Sequence, residues 1–146
     1  MLRFTRVPEP VTPGFAESWL ARYAAGRSDG SCAGFAAVDA ECRFVGLALA
    51  PAIDETAGEV ELGYIVAPAM RGRGLAGELL RLLTAWALDE LGAERIVLII
   101  NVENLASSRA AARCGYTREG VMRSIHLKGD VRCDAELWSR LPGDPP

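Results

Sequence analysis

Apolar and polar residues alternate over Leu2–Val7, a spacing that predicts a short strand. Pro8, Pro10 and Pro13 follow at once and impose an extended lead-in poor in backbone hydrogen bonds. Phe15, Trp19, Leu20 and Tyr23 then recur as one face of a helix, which Gly26 and Asp29-Gly30 are expected to end. Ser31–Val38 and Arg43–Ala50 predict two strands joined by the polar Asp39-Ala40-Glu41, a length suited to a hairpin. Pro51–Gly58 reads as a longer turn. Over Glu59–Val66, the residues Val60, Leu62 and Tyr64 fall on one face and Glu59, Glu61, Gly63 and Ile65 on the other, so a third strand extends an antiparallel meander.

Pro68 ends that strand, and the spacing changes to helical from Gly74 to Leu91. Leu75, Leu79, Leu82, Leu83 and Trp86 form its apolar stripe, Glu78, Arg81 and Asp89 lie between them, and Gly92 stops it. Arg95–Asn101 reads as a strand buried on both faces, so strand, helix and strand make a right-handed crossover with a parallel pair. A second helix over Ser107–Arg113 is closed by Gly115, and strands near Tyr116–Ser124 and Ala135–Leu141 finish the sheet. The expected class is α/β, with a mixed central sheet and helices on both faces. Residues 1–30 form a short front, and 142–146 a frayed tail.

Composition permits this picture. A chain of 146 residues, 50% hydrophobic and 24% charged, suits one globular domain over 1–146. A net charge of −3 and a pI near 5.2 give no global positive field for nucleic acid or an anionic membrane. The longest apolar run, Ile96–Ile100, is far short of a membrane span, and the N-terminus lacks a signal-peptide layout, so the expected location is cytoplasmic. Cys32, Cys42, Cys114 and Cys133 form no CxxC pair, and the single histidine, His126, cannot supply the usual zinc partners. No metal is expected, and the thiols read as small packed apolar groups.

The segment with most chemical content is Arg71-Gly72-Arg73-Gly74-Leu75-Ala76, between the third strand and the long helix. A glycine turn that opens a helix leaves several N–H groups unpaired and pointing one way, which makes a cradle for phosphate. A Walker loop would end in Gly-Lys-Ser/Thr, whereas Gly74 is followed by Leu75-Ala76. Gly72–Gly77 does match GxGxxG. A dinucleotide fold, however, places its first glycine directly after the strand and needs more βα units than this chain offers. A tight turn with no ligand is the plainest alternative.

The remaining pattern resembles the GNAT superfamily of acyl-CoA-dependent N-acyltransferases, whose phosphate loop reads Arg/Gln-x-x-Gly-x-Gly/Ala; Arg71, Gly74 and Ala76 fill its fixed positions. The resemblance continues through Glu59-Val-Glu-Leu-Gly-Tyr-Ile-Val-Ala-Pro68, Asn101-Val-Glu-Asn104-Leu-Ala-Ser107-Ser, Cys114-Gly-Tyr116, Gly129-Asp130 and Leu137-Trp-Ser-Arg-Leu141. It is closest to the branch that acetylates ribosomal-protein N-termini.

The resemblance implies acetyl-CoA as acyl donor. Its pyrophosphate would meet the N–H groups of Arg71, Gly72, Arg73, Gly74, Leu75 and Ala76, with a charged contact from Arg71 or Arg73. The strands before and after the helix splay apart in the family, and pantetheine pairs there with an edge that would be Ile65, Val66 and Ala67 here. The Val66 N–H would then face the thioester oxygen. Asn101 and Asn104 belong to the loop that contacts the pantetheine arm. Ser107 matches a serine assigned as proton source for the departing thiolate, and reads equally as a helix N-cap. The tyrosine that many members use instead is replaced by Ala111.

Glu61 is the first candidate for the base and Glu59 the second, although alternating charges also mark the wet face of a strand. His126 stands near a catalytic glutamate position of the related enzymes, and an imidazole can act as base near neutral pH. Relatives carry more chain before the meander than the thirty or so residues present here. A short front would bare sheet edges and an apolar face, favouring a homodimer. Two function classes follow: an N-acetyltransferase acting on a peptide or small-molecule amine, and a non-catalytic CoA- or acyl-CoA-binding module.

Overall fold

A computed structural model describes residues 3–145. Helix α1 (Phe15–Asp29) precedes strands β1 (Ala33–Val38), β2 (Phe44–Asp54) and β3 (Glu59–Val66). A 3-10 turn at Pro68–Met70 leads to α2 (Leu75–Asp89), β4 (Arg95–Asn101), α3 (Leu105–Arg113), β5 (Thr117–Lys128) and β6 (Val131–Arg140). The six strands form one mixed sheet in the order β1-β2-β3-β4-β6-β5, in which β3 and β4 are the parallel pair.

Neighbouring residues of β1 show how the layers are arranged. A side chain on Gly34 would press on the Tyr23 ring of α1, while Phe35 meets Trp86 of α2 edge-on at 5.1 Å. Successive strand residues point to opposite faces, so α1 and α2 cover opposite faces of the sheet. On the α2 face Val60, Leu62, Leu80, Leu83, Ile96 and Leu98 are all nearly inaccessible and make the core.

Several boundaries differ from the sequence expectation. No strand forms over residues 3–7, which are turns and bends; Leu2 lies outside the described residues. Arg3 and Arg6 instead reach Glu103 and Glu61 at 2.8 and 2.9 Å, and the prolines that follow favour this path over a ladder. Gly26 does not end α1. It is buried inside the helix, where a Cβ would collide with the Cys32 sulfur, so glycine allows the helix and β1 to approach. Leu20 and Leu82 are 61% and 64% exposed, and the buried stripes run through Tyr23 and Gly26 in α1 and through Leu79, Leu80 and Leu83 in α2.

Pro51 lies within β2 rather than in a turn, at the register shift between Leu49 and Ala52, where a residue without an N–H is tolerated. β5 and β6 are longer than expected because a bulge carries the pairing past Ser124, which has φ 57°, down to the turn at Gly129-Asp130. α3 begins at Leu105, two residues before the expected start.

The parallel ladder is short. Glu59, Glu61 and the Val60 between them pair with Arg95–Val97, and beyond that point the strands share no pairs. The paired end is held by Arg95, whose Nε donates to Glu59 at 2.8 Å and whose terminal nitrogens form a fork on both Glu119 oxygens at 2.7 and 2.8 Å. Hydrogen bonds from Arg95 and Ser139 hold the Glu119 carboxyl down at about 2. A carboxyl lowered from 4.5 adds stability above its ordinary value and loses it as the pH falls toward about 2.

Solvent screening at so open a carboxylate limits the effect to about 1 kcal/mol. Glu119→Gln is therefore expected to lower Tm by about 2–4 °C at pH 7. The difference should shrink steadily below pH 4.5 in differential scanning fluorimetry. A gap unchanged at pH 3 would mean that the charge contributes nothing.

Candidate active site

Past Glu61 and Val97, β3 and β4 diverge, and a cleft of about 890 Å³ opens between them. Because strand residues alternate, it is lined from both sides of the sheet. Leu62, Tyr64 and Ile100 contribute from the α2 side, and Glu61, Ile65 and Ile99 from the α1 side. One opening therefore connects two approaches to a single point.

On the α2 side the chain leaves β3 through the 3-10 turn and enters α2 through two left-handed glycines, Gly72 (φ 75°) and Gly74 (φ 78°). Among the described residues, the N–H groups of Gly72, Arg73 and Gly74 donate to no backbone carbonyl. Those of Leu75 and Ala76 open the helix, where no intrahelical acceptor exists. Gly74 caps α2 without a side chain, which leaves this mouth open, and Arg71 and Arg73 are exposed beside it. The arrangement suits a diphosphate: unpaired donors, the positive end of a helix dipole and two cations.

The edge of β3 leads from this turn into the cleft. Ala67 N–H donates to Val45 on β2 at 2.8 Å, and the Ile65 carbonyl faces Gly46 so closely that a Cβ there would collide with it. Both residues thus spend main-chain groups on β2. Val66, between them, points its N–H and C=O the other way, toward the opening. Its carbonyl accepts Arg71 Nε at 3.3 Å.

Ser107 sits in the first turn of α3 and meets Tyr64 across the cleft, with the two hydroxyl oxygens 2.7 Å apart. Ser107 is not the cap. That position is held by Asn104, whose side-chain oxygen accepts the Ser107 N–H at 3.3 Å. Asn101 braces the same loop by accepting the Glu103 N–H at 2.9 Å. Burial pushes the Tyr64 phenol up, although its bond to Ser107 pulls the other way, so it keeps its proton at neutral pH. Ala111 is fully buried in the core and leaves no room for a tyrosine. Tyr116 is bonded to Thr84 at 2.7 Å and pushed up to about 12 by burial; it belongs to the core and does not line the cleft.

On the α1 side the cleft holds Glu61 and His126. Arg6 donates to Glu61 at 2.9 Å. Burial, helped by the Arg6 charge and opposed by that of Glu61, pushes the His126 imidazole below its ordinary value, so it is neutral near pH 7. Glu59 is bonded to Arg95 at the paired end and does not line the opening.

Alternation assigns Tyr64 to the apolar face and gives no sign of the hydroxyl it meets. Arg6 and the Val66–Arg71 contact were equally invisible, since each depends on chain segments brought together only by folding.

Residues 1–117 match the acetyltransferase (GNAT) domain family. The chain belongs to that family. Among curated proteins of Bacillus subtilis (strain 168), it is 28% identical over 79 residues to the uncharacterized N-acetyltransferase YoaA, covering 54% of this chain and 45% of YoaA. It is also 28% identical over 89 residues to YdaF, whose name proposes a ribosomal N-acetyltransferase, covering 61% of this chain and 49% of that protein. The chain thus spans about half the length of these relatives.

Among solved structures, a spermidine N-acetyltransferase from Vibrio cholerae in complex with CoA and spermine shares the fold at a TM-score of 0.80. Its identity is 22%, and the match covers 88% of this chain and 76% of that one. As a GNAT domain, the chain carries its family's mixed sheet with a helix-bearing crossover. Among the described residues, no helix is long and apolar enough to cross a membrane.

Proposed function

We propose that this protein is an N-acetyltransferase that moves an acetyl group from acetyl-CoA to a primary amine by direct attack. The observation that carries the reading is the fork between β3 and β4, which opens beside a glycine turn with unpaired N–H groups and ends at a serine bonded to a half-buried tyrosine. In this reading the amides of 71–76 hold the diphosphate and Val66 N–H faces the thioester oxygen as charge develops on it. Asn101 and Asn104 shape the wall along which the pantetheine arm runs. Tyr64 donates to Ser107, which commits the serine proton to the departing sulfur.

The amine enters from the α1 side. An α-amine has a pKa of about 8, so a neutral imidazole acting through water is base enough to collect its proton. His126 takes that role, and Glu61, already bound by Arg6, orients the site.

Titration calorimetry with CoA, followed by thiol-reagent detection of CoA release over a panel of amines, tests the reading. Micromolar CoA affinity with turnover on at least one acceptor is the expected result. No CoA affinity, or affinity without turnover on any amine, would overturn it. In the pH profile, kcat/KM is expected to fall below pH 6.5 as His126 becomes charged, because its pKa lies below that value, and His126→Gln should abolish this limb.

We further take the protein to be a cytoplasmic homodimer. The thiols of Cys32, Cys42, Cys114 and Cys133 are all free, which suits a reducing compartment. β5 is an open edge strand carrying Val121, Ile125 and Leu127 at 44%, 46% and 61% exposure, a surface that a second copy would cover. Light scattering should give twice the chain mass, and Leu127→Lys should return the monomer; a monomer at every concentration would remove this part of the reading.

A further inference from the structure

The α1 side of the cleft carries a charge pattern that bears on the acceptor. We infer that the amine acetylated here is one that also bears a carboxylate, as in an amino acid or an acidic peptide, and is not a polyamine. The inference rests on the acetyltransferase reading for the reaction, and on the following geometry for the substrate.

Arg3, Arg6, Arg22 and Lys128 line the cleft as cations, and Glu61 is the one carboxylate in its lining among the described residues. Glu61 is already engaged, with Arg6 at 2.9 Å. A polyamine binds through several ammonium groups, each needing an anion or a dense set of acceptors once water is excluded. The lining offers it one carboxylate, already bound by Arg6, and the cation there that forms no ion pair among the described residues is Arg22, so an ammonium group would meet like charge and no open anion.

Arg22 is the residue best placed to receive an anion. It projects from α1 beside the cleft, is exposed, and forms no ion pair among the described residues. Its contacts are the Pro51 carbonyl, 3.0 Å from Nη2, and the Tyr23 ring, whose centroid lies 5.1 Å from the guanidinium carbon. Tyr23 is buried and packs against Trp19 in a tilted ring pair with centroids 4.4 Å apart, so the platform beneath Arg22 is firmly held. The Pro51 carbonyl and the Tyr23 side chain hold the guanidinium from one side, and its remaining donors can fork onto a carboxylate.

The same contact removes a competing site. Tyr23 could hold an ammonium by its π-face, but it already carries the Arg22 cation. Arg3 and Lys128 pair with Glu103 and Glu9 at 2.8 and 3.5 Å in solvent-facing bonds, and a substrate carboxylate can exchange with such partners at little cost.

The test uses the full chain saturated with CoA and reads acceptor binding by calorimetry, which does not require turnover. The probes are an Ala-Glu dipeptide, free glutamate, the neutral Ala-Gln amide and spermidine. The anionic probes should bind about tenfold more tightly than the neutral one, weaken as salt rises, and leave spermidine without measurable affinity.

Arg22→Gln should erase that tenfold preference while CoA affinity stays unchanged, and Arg22→Glu should reverse it in favour of spermidine. Preference for the dipeptide over free glutamate would name a peptide as the source of the carboxylate, and the reverse would name the amino acid. Spermidine binding as tightly as the dipeptide, or an anionic preference untouched in both Arg22 variants, would overturn the inference. Anionic preference without acetyl transfer would uphold the carboxylate-binding geometry at Arg22 and overturn the catalytic reading.

Discussion

Ser107→Ala should lower kcat by about 100-fold and leave CoA affinity within twofold of the parent, the size expected when a positioned proton donor is lost. The variant is clean for a structural reason. Ser107 contributes its backbone N–H to the Asn104 cap, and alanine keeps that N–H, so α3 should retain its stability. Tyr64→Phe removes the partner that aims the serine hydroxyl, with the oxygens 2.7 Å apart. It should lower kcat by about tenfold on its own, and by little more when added to Ser107→Ala, because residues that act as one unit are not additive. Stopped-assay kinetics of the three variants check this. Equal losses in kcat and CoA affinity for Ser107→Ala would reduce the pair to a cofactor contact.

Gly74→Val should abolish measurable CoA binding. Gly74 has φ 78°, a conformation that a β-branched residue adopts only under strain, and it is the residue that leaves the entry of α2 without a side chain. No atom lies within 4 Å of a Cβ built there, so the loss would arise from backbone strain and a blocked approach to the N–H groups, not from a clash in the core. A loss of at least 100-fold in affinity by calorimetry, with a far smaller change in Tm, is the expected signature. A variant that binds CoA normally would remove the turn from the cofactor site.

The elements most legible in the sequence were those whose pattern comes from burial alone. β3 and β4 match their expected bounds, Glu59–Val66 and Arg95–Asn101, because one alternates cleanly and the other is apolar on both faces. The glycine turn was legible for a local reason too: left-handed backbone of the kind found at Gly72 and Gly74 favours glycine, which is why the residue type marks the turn. Leu82 misled because it lies at the edge of the stripe, where spacing cannot separate it from the buried Leu80. Pro51 misled because a proline signals a turn unless a bulge accommodates it, and the bulge depends on the partner strand. The cleft itself was beyond local reading. Ser107 and Tyr64 lie 43 residues apart, and Arg6 and Glu61 lie 55 apart. Their meeting is a property of the fork and of the N-terminal segment, not of either neighbourhood.

The bond from Arg71 to the Val66 carbonyl ties the glycine turn to the free edge of β3. In the proposed reading, a pantetheine amide that pairs with Val66 competes with the guanidinium for that exposed oxygen, and a cation displaced from it would stand beside the arriving diphosphate. On that reading, docking of the arm and capture of the charged head are coupled through Arg71, and a truncated donor lacking either half should lose more than its missing contacts alone would cost.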